Sequence, residues 1–170
     1  MKQFIILALA GLALTACAPR NPGPQLGPDG LPIPVAYTIN SAEAAAIPDR
    51  VLGQVNTLRA GSGATPLRLD PALSAAAAAQ SRDMAAQNRA WHFGSDGSSP
   101  LVRVQRSGFT GRLLGENISE TYETELETLS SWMAQPDTRV VIMDPMATRL
   151  GFSWFQEPGG KIWWTMLTGA

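Results

Sequence analysis

The C-terminal residues 149–168 carry the feature that most restricts the fold, the pattern of a β-hairpin. Apolar side chains alternate with others along residues 149–156 and along residues 161–168, and a Glu-Pro-Gly-Gly turn separates the two runs. Such alternation puts every second side chain on one face of a strand, here Leu150, Phe152 and Trp154 on the first and Ile162, Trp164 and Met166 on the second. A hairpin of this kind needs other elements packed on it to bury that face.

Two adjacent tryptophans, Trp163 and Trp164, lie in the second strand of this hairpin. Adjacent side chains of a strand point to opposite faces, so one of the two is predicted to be partly exposed. An exposed indole would be a contact for the membrane surface or for a glycan.

Three upstream segments have the patterns of longer helices. In residues 41–60 the apolar side chains fall on one helical face, and Pro48 either occupies the first turn or separates a lead-in from the main helix. Asp70-Pro71 is a strong helix start for the alanine-rich residues 72–89. Residues 121–135 show helical spacing again, with glutamates near their start.

Shorter elements connect these segments. Ser99-Pro100 can begin a short helix that Gly108 closes, residues 114–119 favour a strand, and residues 136–142 suggest a single helical turn. The whole pattern predicts an α+β fold with helices gathered on a small antiparallel sheet.

The N-terminus has the pattern of a secretory signal. Lys2 precedes an apolar run over residues 4–14, and this run is shorter than the roughly 20 apolar residues that span a bilayer. The following Leu-Thr-Ala-Cys resembles the bacterial lipobox, which implies that residues 1–16 are a lipoprotein signal peptide and that Cys17 is lipidated. An ordinary cleaved signal with an incidental cysteine is the alternative. In a lipoprotein of the Gram-negative type, alanine in place of aspartate at position 18 would imply sorting to the outer membrane.

Residues 17–40 are predicted to tether a folded domain at residues 41–170. Proline and glycine recur through residues 18–35 without apolar periodicity, so this segment cannot bury a core. The alternative, a proline-rich ligand for a partner, lacks basic flanks and a repeated PxxP pattern.

Charge and cysteine content limit the kinds of partner and site that the chain can have. The net charge of −1 and the lack of a basic run argue against nucleic acid. Cys17 is the only cysteine, so an internal disulfide and a cysteine-based zinc site are excluded. We expect the chain to be held at the membrane through Cys17 and to meet an envelope protein, glycan or lipid, facing the periplasm or the cell surface.

The polar residues that could form a functional site lie around Gly115-Glu116-Asn117. Glu and Asn are poor strand residues, so something other than propensity holds them in this apolar stretch. The single histidine, His92, lies upstream, also between apolar residues. His92 and Glu116 could converge on one cleft.

Several short motifs occur in order over residues 48–168: VNTLR at 55–59, PLRLDPAL at 66–73, His92, Asp96-Gly97, Arg103, Gly108-Phe109, GENI at 115–118, Trp132-Met133 and Gly151 in the hairpin. Together they resemble the CAP superfamily of cysteine-rich secretory, antigen 5 and pathogenesis-related 1 proteins (SCP-like domains), in its compact bacterial form. The resemblance implies an α-β-α sandwich.

The resemblance also implies a cleft lined by two histidines and two acidic residues, which hold a divalent metal in several members. His92 and Glu116 match one histidine and one acid, whereas Gln135 and Thr138 stand at the other two places. The predicted cleft therefore consists of His92, Glu116, Asn117, Gln135 and Thr138.

Two interpretations of function follow. The first is a membrane-anchored envelope lipoprotein whose CAP domain is a non-enzymatic binding module with a degenerate polar cleft. The second is a peptidase-like hydrolase, metal-assisted or metal-free, in which His92 and Glu116 are the catalytic and metal-ligating candidates. We favour the first, because half of the tetrad is replaced and no activated nucleophile is evident. Binding of a lipid or sterol is a third, weaker interpretation. No cofactor is predicted, and weak binding of a divalent metal stays open.

Overall fold

In the computed structural model, which describes residues 37–170, a four-stranded sheet runs through the middle of the fold. Its strands lie in the order β1-β3-β4-β2, where the labels denote β1 (Arg68–Leu69), β2 (Leu113–Thr121), β3 (Arg149–Gln156) and β4 (Ile162–Gly169). The predicted hairpin is therefore confirmed as β3 and β4. The predicted signal peptide, the cysteine predicted to be lipidated and nearly all of the predicted tether lie outside the described residues.

The sheet is mixed: the predicted antiparallel pairing holds for β2, β3 and β4, and β1 adds a parallel pair that was not predicted. The strand β2 pairs antiparallel with β4, but β1 pairs parallel with β3. Only two residues form β1, which is too short for an alternating pattern to show in the sequence. The backbone N–H of Asp70 extends this pairing by donating to the carbonyl of Leu150 over 2.8 Å.

Five helices pack on this sheet within the described part of the chain: α1 (Ser41–Gly61), α2 (Pro71–Gln87), α3 (Pro100–Arg106), α4 (Glu125–Ala134) and α5 (Pro136–Met143). Side-chain caps begin the first four, from Asn40, Asp70, Ser99 and Thr124. Between residues 37 and 170 none of these helices has the length and apolar character needed to cross a membrane.

The place of Pro48 and the bounds of two helices differ from the prediction. Pro48 lies inside α1 and not in its first turn, because Asn40 caps the helix earlier. The predicted helix 121–135 begins only at Glu125, since β2 continues to Thr121 and a Thr124–Glu127 capping box starts α4. The single turn predicted at residues 136–142 is the eight-residue helix α5.

Helices cover both faces of the sheet, which confirms the α-β-α sandwich. One buried cluster lies between the sheet and α1, α4 and α5, and a second joins α2 and α3 to Leu167 of β4. Trp163 and Trp164 are therefore both fully buried, and the expectation that one of them is partly exposed is wrong. That expectation fails because β4 is a central strand covered on each side.

Helix α2 lies unusually close to β3 because both contribute small residues. Ala76 and Ala77 of α2 are fully buried. A Cβ atom added at Gly151 of β3 would lie 2.3 Å from the backbone carbonyl carbon of Leu73. Glycine at this position is thus required by contact between two backbones.

A buried arginine, Arg59, joins the end of α1 to the segment that follows α5. Its guanidinium donates to the backbone carbonyls of Thr65, Ile142, Asp144 and Ala147 over 2.8 to 3.1 Å. Arg59 is fully buried, and this burial lowers the pKa of its guanidinium. The four carbonyls replace the water that the charge has lost.

Candidate functional site

The loop that follows α2 presents His92 and is tied back to that helix. Gln80 Nε2 donates to the carbonyl of Trp91 over 2.6 Å, and Trp91 Nε1 donates to Gln87 Oε1 over 2.8 Å. The Asp83 carboxylate accepts from the backbone N–H and the hydroxyl of Ser95, each over 2.6 Å. These three α2 residues share one helical face, so the loop has a defined position before any ligand arrives.

His92 and Glu116 do converge, and a third residue joins them. His92 Nδ1 lies 2.8 Å from Glu116 Oε1, and Arg103 Nη2 donates to Glu116 Oε2 over 2.6 Å. Arg103 also donates through Nη1 to the carbonyl of His92 over 3.0 Å. The result is a closed cluster of imidazole, carboxylate and guanidinium, built from the α2–α3 loop, β2 and α3.

Burial within this cluster is strongly graded. The side chains of Glu116 and Arg103 are 2% and 7% exposed, whereas the His92 side chain is 49% exposed. Burying a carboxylate is costly unless it has a charge partner and hydrogen bonds, and Arg103 with His92 supplies both. Of the three groups, the imidazole is by far the most open to a molecule in solution.

Asn117 and Thr138, also assigned to the cleft, make their contacts on the opposite face of the sheet. Glu116 is paired across β2 and β4 with Leu167, and Asn117 with Met166, and these two partners belong to different buried clusters. Asn117 Nδ2 donates to the carbonyl of Thr138 over 2.9 Å. The structure therefore brings His92 and Glu116 together but separates Asn117 and Thr138 from them.

Thr138 and Gln135 act locally in the structure. The hydroxyl of Thr138 donates to the carbonyl of Trp132 over 2.6 Å, which satisfies a carbonyl at the end of α4. Gln135 is exposed at the junction of α4 and α5, and its backbone carbonyl accepts from the N–H of Arg139 over 2.9 Å. Both residues help to turn the chain from α4 into α5.

The residues present do not fit the divalent metal that the resemblance implies. Glu116 uses both carboxylate oxygens on Arg103 and His92. Because His92 Nδ1 faces Glu116, its other nitrogen points away, and one ion cannot bind that nitrogen and the carboxylate together. Within residues 37–170 no three His, Cys, Asp or Glu side chains gather to hold an ion.

Arg103 is the site residue that the sequence analysis did not assign to the cleft. It lies in a helix of seven residues between apolar neighbours. A charged side chain between two valines is a candidate for a buried ion pair, and Glu116 was the acid already singled out. This pairing is the signal that could have identified it.

Comparisons with known proteins agree with this architecture. The model of the cysteine-rich secretory protein family (CAP) matches residues 52–167. A curated relative, the uncharacterized protein YkwD of Bacillus subtilis strain 168, is 30% identical over 120 residues, which are 71% of this chain and 46% of that protein. The chain thus spans less than half the length of this relative.

Two solved structures share the fold. An extracellular protein of Bacillus anthracis that contains an SCP domain aligns with a TM-score of 0.65 at 20% identity, over 79% of this chain and 45% of that one. An outer surface protein of Borrelia burgdorferi aligns with a TM-score of 0.63 at 14% identity, over 79% of this chain and 98% of that one.

Proposed function

The chain belongs to the cysteine-rich secretory protein (CAP) family, and from this premise we propose that it is a lipid-anchored, non-enzymatic binding module of the bacterial cell envelope. The observation that carries the proposal is the closed state of Glu116. Its carboxylate is 2% exposed and both of its oxygens are bound by neighbours. A group in this state stabilises the fold and is not available to a substrate.

The envelope location is supported from two sides. The N-terminal pattern that ends in Cys17 is that of a lipoprotein signal. The solved structures with this fold include a protein named as extracellular and another named as an outer surface protein. Replacement Cys17→Ser should release the chain from the membrane fraction, and intact-mass measurement of the wild-type chain should show the added acyl chains.

A hydrolase is the second candidate, and the exposure of His92 is the observation that favours it. With Nδ1 directed at Glu116, the other imidazole nitrogen is open to solvent and could act on a water molecule. Among the contacts described, no serine, threonine or cysteine side chain bonds to this imidazole, so a paired nucleophile is not part of the arrangement.

Two substitutions of His92 separate these functions. Asparagine keeps a donor near the place of Nδ1 and removes the outer nitrogen, whereas glutamine keeps a donor near the outer nitrogen. We expect His92→Asn and His92→Gln to retain the same partners from detergent-solubilised envelope as the wild-type chain. Arg82→Gln, an exposed change on α2, is the matched control.

The same proteins are tested for turnover on peptide and ester substrates. The binding module predicts no turnover above the buffer rate for the wild type. Turnover by the wild type that His92→Asn abolishes and Arg82→Gln leaves intact would establish the hydrolase instead.

A further inference from the structure

We propose that a cavity between α2 and α3 binds a neutral sugar unit of an envelope glycan, an inference that rests on the proposed role as a binding module. The cavity has a volume of about 400 Å³, within the range of small-molecule sites. It lies on the α2 and α3 side of the sheet, away from the buried cluster that α1, α4 and α5 form on the other face. Its walls come from α2, from the turn-rich loop 94–99 and from α3.

The charges of the cavity are already balanced, which argues against an ionic ligand. Arg106 is paired with Asp96 over 2.5 Å, and Arg103 is paired with Glu116. Asp83 also lines the cavity and adds a negative charge. An anion would meet two carboxylates there without an unpaired cation to hold it.

The carboxylates are equally unsuited to a metal cation. Asp83 accepts two bonds from Ser95 and a third from Gln87 Nε2 over 2.9 Å. Asp96 Oδ1 accepts from the N–H of Ser98 over 2.9 Å, and its other oxygen is bound by Arg106. Bonds from Ser98 and Arg106 hold the pKa of Asp96 well below its usual range, so it stays an ionised acceptor.

What remains is a surface of mixed donors and acceptors, which is complementary to a polyhydroxylated ring. A guanidinium offers up to five N–H donors and a carboxylate about four acceptor positions, while each serine hydroxyl does both. Arg106 uses one of its nitrogens on Asp96, and Ser95 and Ser107 add hydroxyls. Ala79 supplies a small apolar contact for the carbon face of a sugar.

The cavity is also preformed and linked to the His92 cluster. Gly94 N–H donates to the carbonyl of Ser98 over 2.8 Å, and a Cβ atom at Gly94 would lie 2.6 Å from Ser98 Oγ. Arg103 lines the cavity and bonds to both His92 and Glu116. A ligand therefore needs little ordering of the loop, which favours binding.

The test uses the full chain and a cavity-filling variant. Ala79→Leu puts a larger side chain into the cavity, and Ala75→Leu makes the same change one turn earlier on the exposed surface of α2. Both variants and the wild type are screened on an array of neutral and charged envelope oligosaccharides. The neutral oligosaccharide that binds the wild type most tightly is then titrated into each protein by calorimetry. We expect Ala75→Leu to match the wild type and Ala79→Leu to bind at least tenfold more weakly.

Amide chemical shifts of the wild type provide a measurement that does not depend on the variant folding. The neutral oligosaccharide should move the amide signals of Ser95, Ser98 and Ser107. The inference would be overturned if the chain bound no glycan or bound only charged glycans. It would also be overturned if Ala79→Leu left binding unchanged, or if the amide shifts occurred elsewhere in the chain. If glycans fail but the wild type and Ala79→Leu both retain an envelope protein, the binding module survives; if nothing is retained, both proposals fail.

Discussion

Replacing Glu116 by glutamine is the perturbation that most directly tests the closed cluster. Glutamine has almost the same shape and keeps hydrogen-bonding atoms for its neighbours, so the change mainly removes the negative charge. Arg103 would then keep a buried positive charge, in a side chain that is 7% exposed, without its partner at 2.6 Å. The expected outcome is a large loss of stability.

The magnitude follows from the burial of both partners. Removing one member of a buried ion pair costs about 3–5 kcal/mol, whereas the bond from the half-exposed His92 contributes about 1 kcal/mol. At roughly 4 °C per kcal/mol for a domain of this size, Glu116→Gln should lower Tm by about 12–20 °C. His92→Asn should lower it by less than about 4 °C.

Thermal and urea unfolding followed by circular dichroism measure these values. The matched control is Glu120→Gln on the same strand, because Glu120 is 39% exposed and pairs with Lys161 over 3.0 Å at the surface. Such a pair contributes about 1 kcal/mol or less. If Glu116→Gln costs no more than this control, the carboxylate is not structural and the argument for a non-catalytic cluster fails.

Three further changes test other parts of the fold. Burial and two nearby carboxylates raise the pKa of Tyr37 to about 12. What this shift contributes to the free energy of unfolding is therefore complete below pH 10 and is lost as the pH rises to about 12. In urea titrations, the stability difference between the wild type and Tyr37→Phe should shrink over that interval. Gly151→Ala should cost about 3 kcal/mol because the new Cβ meets the backbone of Leu73, whereas Gly159→Ala, which meets nothing within 4 Å, should change the unfolding free energy by less than about 0.5 kcal/mol. Arg59→Met should cost about 4 kcal/mol by thermal unfolding, since four carbonyls lose their donor, and an unchanged Tm would contradict this account.

The sequence predicted most reliably those elements whose signals are local. The hairpin followed from alternation on both sides of one turn, and α2 from the Asp70-Pro71 start and a run of alanines. The two-residue strand β1 has no such signal, because its pairing with β3 is decided by chain segments far apart in the sequence. Capping by Asn40 likewise overrode the local preference of Pro48.

The site was predictable only where its residues carry a local sequence signal. His92 and Glu116 were selected as rare polar residues among apolar ones, and the structure places them in contact. Asn117 was grouped with them by sequence proximity, although the period of a strand already separates adjacent side chains onto opposite faces. Arg103, between two valines, offered a similar signal, but the acid that it meets depends on where α3 packs, and the spacing of residues does not contain that information.

The entry of the chain into the folded part determines how the domain bears a mechanical load. The side chain of Gln156, at the end of β3, donates to the carbonyl of Tyr37 over 2.6 Å and accepts from the N–H of Ile39 over 2.9 Å. One amide thus does for this segment what a neighbouring strand would do. A pull on the chain from its N-terminal side therefore loads these two bonds, together with the packing of Tyr37 and Ile39 on the core, at the end of a strand of the sheet.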